Sequence, residues 1–289
     1  MRAHALLLLP IALAGGCTQA APGGATPTPT PPAATAAAPP QAPAPAPAPA
    51  SAPTATAQAP AIVQSFRKDM AYSELRAQLL QAGWLPLRDP KCWDNIGGDA
   101  EVCYLLPEVD SCSADGYCSM RFANRALGLL ARITTYGPYD AHNGTALKAR
   151  SLDVQAPPRA APATTCPAQD FAQFLQRFAA DTALQPRFTA PLVKVMELRS
   201  DGDSDQEQPV YVRGPDYRDF DLRYQGGAFH FVGRDGQVDA TPLPVRITQP
   251  DAGTRLVRYD MNMSEGNSFL FERRDGCWYL SEDPEAPGP

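Results

Sequence analysis

Histidine is scarce in this sequence: of three, His4 stands near the start, and His142 and His230 share no ligand spacing. No HExxH, GxSxG, GxGxxG or GK[ST] motif occurs. These absences remove the ready signatures of zinc peptidases, serine hydrolases, dinucleotide enzymes and P-loop nucleotide hydrolases. Neither a metal nor an organic cofactor is expected. The apolar run Ala5 to Ala14 has about ten residues where roughly twenty are needed to span a bilayer. No basic stripe with interleaved aromatics occurs, and acidic residues outnumber basic ones 31 to 25, so nucleic acid is not expected as a partner. Charge is missing altogether from Thr18 to Phe66.

What is present begins with an address. Arg2 followed by the apolar run has the layout of a signal peptide. The run ends in Ala14-Gly15-Gly16-Cys17, which resembles the lipobox of bacterial lipoproteins, although Leu13 sits one place earlier than that motif usually wants it. The resemblance implies cleavage after residue 16 and a lipid on Cys17, which anchors the chain to a membrane. Thr18 stands where an Asp-type inner-membrane retention signal would be, so the implied destination is the periplasmic face of the outer membrane. Cysteine parity agrees: of seven cysteines, six remain once Cys17 is assigned to lipid, an even number suited to disulfides in an oxidising compartment.

Residues 17–61 form the next segment, almost wholly Ala, Pro, Thr and Gly between Ala21 and Pro60. It has too little apolar bulk to offset chain entropy, so a disordered tether is expected. Polyproline-like conformers at ~3.1 Å per residue would let it reach on the order of 120 Å. The roughly 225 residues that remain exceed one average domain. Pro157, Pro158 and Pro162 among alanines mark a seam, so the reading is a first domain at 62–154, a linker at 155–165 and a second domain at 166–289.

In the first domain, Tyr72, Leu75, Leu79 and Leu80 fall on one helical face, closed by Gly83. Trp84-Leu85-Pro86-Leu87 reads as the entry to irregular structure, and Val102 to Leu106, Cys118 to Ala123 and Leu127 to Thr135 as strands. Cys92, Cys103, Cys112 and Cys118 lack a CxxC knuckle, which favours disulfides over a zinc site. Four cysteines allow three pairings and the residues do not choose among them; neighbour pairing, Cys92 with Cys103 and Cys112 with Cys118, is the expectation. In the second domain, Phe171, Phe174, Leu175 and Phe178 recur at i, i+3, i+4 and i+7. Short strands punctuated by Asp201-Gly202, Asp235-Gly236 and Asp275-Gly276 follow, the clearest being the hairpin Ser268 to Leu280. Cys166 and Cys277, the only two cysteines there, are expected to bond. The fold class read from this pattern is α+β: two small disulfide-stapled domains, the second a helix on a curved antiparallel sheet.

The blocks Asp170 to Phe178, Asp181 to Gln185 and Phe188 to Leu192, together with Phe269-Leu270-Phe271-Glu272-Arg273-Arg274-Asp275-Gly276-Cys277-Trp278-Tyr279-Leu280, resemble a bacterial lipoprotein family known as domain of unknown function 4348. The resemblance implies the cone-shaped fold of nuclear-transport-factor-2-like proteins. It implies no activity and supplies no catalytic residues.

No catalytic set emerges. Phe229-His230-Phe231 puts the imidazole on the opposite strand face from the aromatics, so His230 could enter a pocket as acid or base, but no carboxylate partner can be assigned to it, and it reads as a surface or edge histidine. Asp201, Asp203, Asp205 and Glu207 alternate like calcium ligands without the Gly and terminal Glu of the twelve-residue loop, and read as a solvated hairpin tip. Tyr211, Tyr217, Phe220 and Tyr224, amid Arg and Asp, form the interface candidate. The expected function is a non-enzymatic, protein-binding envelope lipoprotein, with an inhibitor or immunity protein against an envelope-targeting toxin as its sharper form. The alternative is a small-molecule-binding or hydrolytic domain using His230.

Overall fold

A computed structural model of the chain describes residues 60–96, 101–138, 146–157, 165–200, 205–261 and 266–285. The signal segment, Cys17, the tether as far as residue 59, His142, Asp201 and Asp203 lie outside the described residues. Five short helices are present: α1 (Ala61–Ser65), α2 (Tyr72–Gln81), α3 (Cys92–Asn95), α4 (Glu101–Leu105) and α5 (Phe171–Ala180). The strands of the first half are β1 (Leu85–Arg88), β2 (Val109–Cys112), β3 (Tyr117–Asn124), β4 (Leu129–Tyr136) and β5 (Lys148–Gln155). Those of the second half are β6 (Thr189–Ser200), β7 (Asp205–Arg213), β8 (Leu222–Gln225), β9 (Ala228–Phe231), β10 (Val245–Thr248), β11 (Thr254–Asp260), β12 (Gly266–Arg274) and β13 (Cys277–Asp283).

Eleven of these strands join one mixed sheet in the order β10-β11-β12-β13-β6-β7-β1-β3-β4-β5, with β2 paired to β3; β8 and β9 form a separate hairpin. This corrects the expected fold class: the second half is not a helix on a small antiparallel sheet of its own. Its strand β7 is continued by β1 of the first half, and both β1/β7 and β13/β6 are parallel pairs. Parallel pairing joins strands far apart in sequence, and no local pattern of turns announces it.

β1 is the joint. Its first two residues pair antiparallel with β3, Leu85 opposite Ala123 and Pro86 opposite Phe122; its last two pair parallel with β7, Leu87 opposite Tyr211 and Arg88 opposite Val212. Pro86 has no N–H to donate, so a proline in the run argues against a central strand. That is why the segment reads as irregular in sequence. The strand serves one neighbour at a time, and the proline falls where the first pairing ends.

Val102 to Leu106, expected as a strand, is instead helix α4, whose Leu106 amide bonds Val102 O at 2.8 Å. A five-residue apolar run carries too little periodicity to separate the two states. Elsewhere local pattern and structure agree. The Asp170 side chain caps α5 by accepting from the Gln173 amide at 3.0 Å, and Phe171, Phe174, Leu175 and Phe178 are buried. Positive φ at Asp275 (49°) and Gly276 (78°) makes the tight turn between β12 and β13.

Two apolar cores flank the joint. Tyr72, Leu75 and Leu79 of α2 pack with Trp84, Met120, Phe122 and Ile133, while α5 packs with Phe188, Val257, Phe269, Phe271 and Trp278. Between them Leu87, Ala123 and Tyr211 form a small cluster that closes the seam. Ion pairs cross it as well: Arg125 reaches Glu272 and Glu282, and Arg88 reaches Glu197 at 2.5 Å.

The turn Gly214–Asp216 after β7 approaches β6 so closely that a Cβ on Gly214 would stand 2.3 Å from Ala190 O. Gly214→Ala is therefore expected to force the two backbones apart and destabilise the fold by about 1–3 kcal/mol. A lowered urea midpoint with an unchanged slope is the result to look for.

Candidate functional site

The three disulfides are Cys92–Cys103, Cys112–Cys118 and Cys166–Cys277. The first ties α3 to α4, and each of its cysteines is followed by an exposed aromatic: Trp93 is 55% exposed and Tyr104 45%. Both rings rise from a clamped base. The Asp89 carboxylate accepts from the Lys91 amide at 2.8 Å, and the Cys92 amide donates to Asp89 O at 3.1 Å, which starts α3. The Tyr104 hydroxyl donates to Leu198 O at 3.3 Å and so secures the knuckle against β6.

Beside this knuckle lies a cleft of about 260 Å³ lined by Arg88, Asp89, Pro90, Trp93 and Pro107. Its charges are held in place. Asp89 is 8% exposed and is faced by Arg121 at 3.3 Å and Arg213 at 3.7 Å, while Arg121 also reaches Asp110 at 2.6 Å. Burial pushes the Asp110 carboxyl above its ordinary range, opposed by Arg121. On the far wall Arg88 pairs with Glu197, whose carboxyl is also raised by burial. The result is a rigid surface with a tryptophan at the cleft and paired ions behind it, and a tyrosine exposed on the other arm of the staple. Aromatic and arginine side chains of this kind supply most of the energy in protein interfaces, and a disulfide under them lowers the ordering cost of binding.

A second cavity, about 380 Å³, opens at the C-terminal end of α5 between Phe178, Gln185, Thr189, Tyr217, Arg218 and Phe220. His230 lines neither cavity. On β9, Phe229 and Phe231 pack partly buried against the core, and the imidazole, expected at a surface or edge, is instead buried with Nδ1 2.9 Å from Asp239 O. A backbone carbonyl holds that nitrogen, so the geometry offers His230 no route to a ligand in either cavity.

The four interface candidates do not make one exposed patch. Tyr211 is buried at the seam and Tyr217 is buried with its hydroxyl 2.8 Å from Asp283. Phe220 packs edge-on against Phe178 and near Phe269, and Tyr224 is half-buried against Phe229 at 5.0 Å. Of the four, Tyr217 and Phe220 share the larger cavity. Charged residues nearby in sequence suggest a surface, but Tyr211 and Tyr217 are buried and Phe220 and Tyr224 are half-buried. In the acidic stretch, Asp205 begins β7 and Glu207 stands opposite Leu198 across the β6–β7 hairpin. Among the described residues, no group of three or more His, Cys, Asp or Glu could hold a metal ion, and no helix is long and apolar enough to cross a membrane.

Trp93 and Tyr104 went unread in sequence, although one signal was there: Cys92-Trp93 and Cys103-Tyr104 repeat the same cysteine–aromatic step on both arms of one expected staple. No protein-family model matches the chain, and no curated protein matches it either.

Proposed function

We propose that the chain is a non-enzymatic lipoprotein of the bacterial envelope, anchored through a lipid on Cys17 at the periplasmic face of the outer membrane, whose folded body binds a protein partner. The lipobox-like end of the apolar run and the charge-free tether support the anchor. The observation that carries the binding role is exposed Trp93 at a cleft with paired charges, with exposed Tyr104 on the other arm of the Cys92–Cys103 staple. A rigid aromatic wedge of this kind suits insertion into a partner's groove, which is also what an inhibitor of an envelope-targeting toxin needs.

Affinity capture from envelope extracts under non-reducing conditions tests the reading, with wild type and Trp93→Ala compared side by side. Loss of a buried aromatic anchor is expected to weaken the partner by at least about 2 kcal/mol, roughly 30-fold, while thermal stability is unchanged because Trp93 is mostly exposed. Equal capture by the two proteins would remove the cleft from consideration. The anchor has its own check: Cys17→Ala should leave the membrane fraction and lack an acyl mass.

A further inference from the structure

The segment 217–221 that follows β7 lies against the last three strands through two tyrosine–carboxylate pairs. The Tyr217 hydroxyl donates to Asp283 Oδ2 at 2.8 Å, and the Tyr259 hydroxyl donates to Asp221 Oδ2 at 2.6 Å. The pairs run in opposite directions: the segment supplies the donor to β13 in one and the acceptor from β11 in the other. Asp283 is 4% exposed, Oδ1 of Asp283 and of Asp221 are buried without a hydrogen-bond partner, and the Asn267 side chain of β12 lies beside both carboxyls. We propose that these carboxyls make the 217–221 segment a pH-operated latch, closed while they hold protons and loosened as both ionise.

The charged surroundings decide the sign. From the segment, Asp219 adds a like charge, and Arg218 directs one guanidinium nitrogen to Tyr217 O at 2.7 Å rather than to either carboxyl. From the sheet, Glu285 lies near Tyr259 but is paired with Arg258 at 2.9 Å, and Arg258 and Arg246 also serve Asp260. β6 places Val195 opposite Asp283, and its Lys194 is taken by Glu282 at 3.3 Å. No cation therefore faces the pair from the elements packed on it among the described residues. Burial, opposed by the Tyr217 hydrogen bond and the Asn267 side chain and reinforced by Asp219 and Asp221, raises Asp283 to about 7; burial raises Asp221 to about 6. Both tyrosines are pushed up as well, so they remain donors throughout.

A carboxyl whose folded value lies above its unfolded one near 4 favours the closed form at acid pH, and that advantage is lost as pH rises toward 7. Opening moves Tyr217 and Phe220, which roof the larger cavity and pack on Phe178, so ionisation would expose aromatic surface there. The latch thus couples envelope pH to access at that cavity.

Amide hydrogen exchange on the full chain, corrected for intrinsic chemistry, tests this at Tyr217 and Val232, whose amides bond Arg213 O and Asp221 O. Their protection is expected to fall at least about tenfold between pH 5.5 and pH 8, while amides of β3 and β4 hold steady. Asp283→Asn, which keeps the side-chain shape, should flatten that dependence. Carboxyl-carbon titration of the wild type supplies a readout that needs no variant: both groups should titrate above pH 5. Unchanged protection across the range, an undiminished pH response in Asp283→Asn, or carboxyls that both titrate below pH 5 would each overturn the latch.

Discussion

Removing the Cys166–Cys277 bridge, with alanine at both positions, is expected to cost about 5 kcal/mol of stability, the largest loss among the three disulfides. The reason lies in the unfolded chain. This bridge closes a loop with a sequence separation of 111, against 11 for Cys92–Cys103 and 6 for Cys112–Cys118. Closing longer loops withdraws more conformations from the unfolded ensemble, which gives roughly 3 kcal/mol for the middle bridge and about 2 kcal/mol for the shortest. The long bridge also acts on the native side: it fastens the approach to α5 to the start of β13, whose Trp278 Nε1 donates to Gln169 O at 3.2 Å. Urea denaturation of the three double-alanine proteins should rank their midpoints in this order. Equal midpoints would show that the loop argument does not govern this fold.

Arg76→Ala is expected to cost about 3–5 kcal/mol by stranding a charge in the first core. Glu108 is fully buried; its Oε1 accepts from the Tyr72 hydroxyl at 2.7 Å and from Arg76 Nε at 2.5 Å, and its Oε2 from Arg76 Nη2 at 3.3 Å. Burial and the adjacent carboxylate push the Tyr72 phenol well up, so it serves only as a neutral donor. Without Arg76 the carboxylate keeps one donor and no counter-charge. The loss should be largely recovered by Arg76→Met combined with Glu108→Leu, which removes both charges at once. A double-mutant cycle measured by thermal unfolding supplies the check. Additive losses from the two positions would mean that the pair is not coupled.

The parts of the fold that could be read along the chain are those decided within one or two turns of it. The α5 stripe, its Asp170 cap and the Asp275-Gly276 turn are local devices, and each stands where its residues indicate. The disulfide partners were also legible, because close spacing and the isolation of Cys166 and Cys277 leave few choices. The candidate site was less so. Trp93 and Tyr104 had a local mark, the cysteine before each. The carboxylates Asp221 and Asp283 had none: 62 positions separate them, and only the return of β13 beside β6 brings them under the same segment.

Composition and order along the chain determined by themselves the address-like start, the tether-like stretch, the six cysteines set apart from Cys17 and such local elements as α2, α5 and the β12–β13 hairpin, since these depend on neighbouring residues alone. Tertiary structure decided that the two halves share one sheet, that Pro86 sits within its joining strand, that Tyr211 and Tyr217 are buried and that His230 is tied to a backbone carbonyl. The physical reason is the same in each case. Pairing between distant strands is settled by which edges remain open once the cores close, and an edge has no signature in the residues that form it until its neighbour is in place.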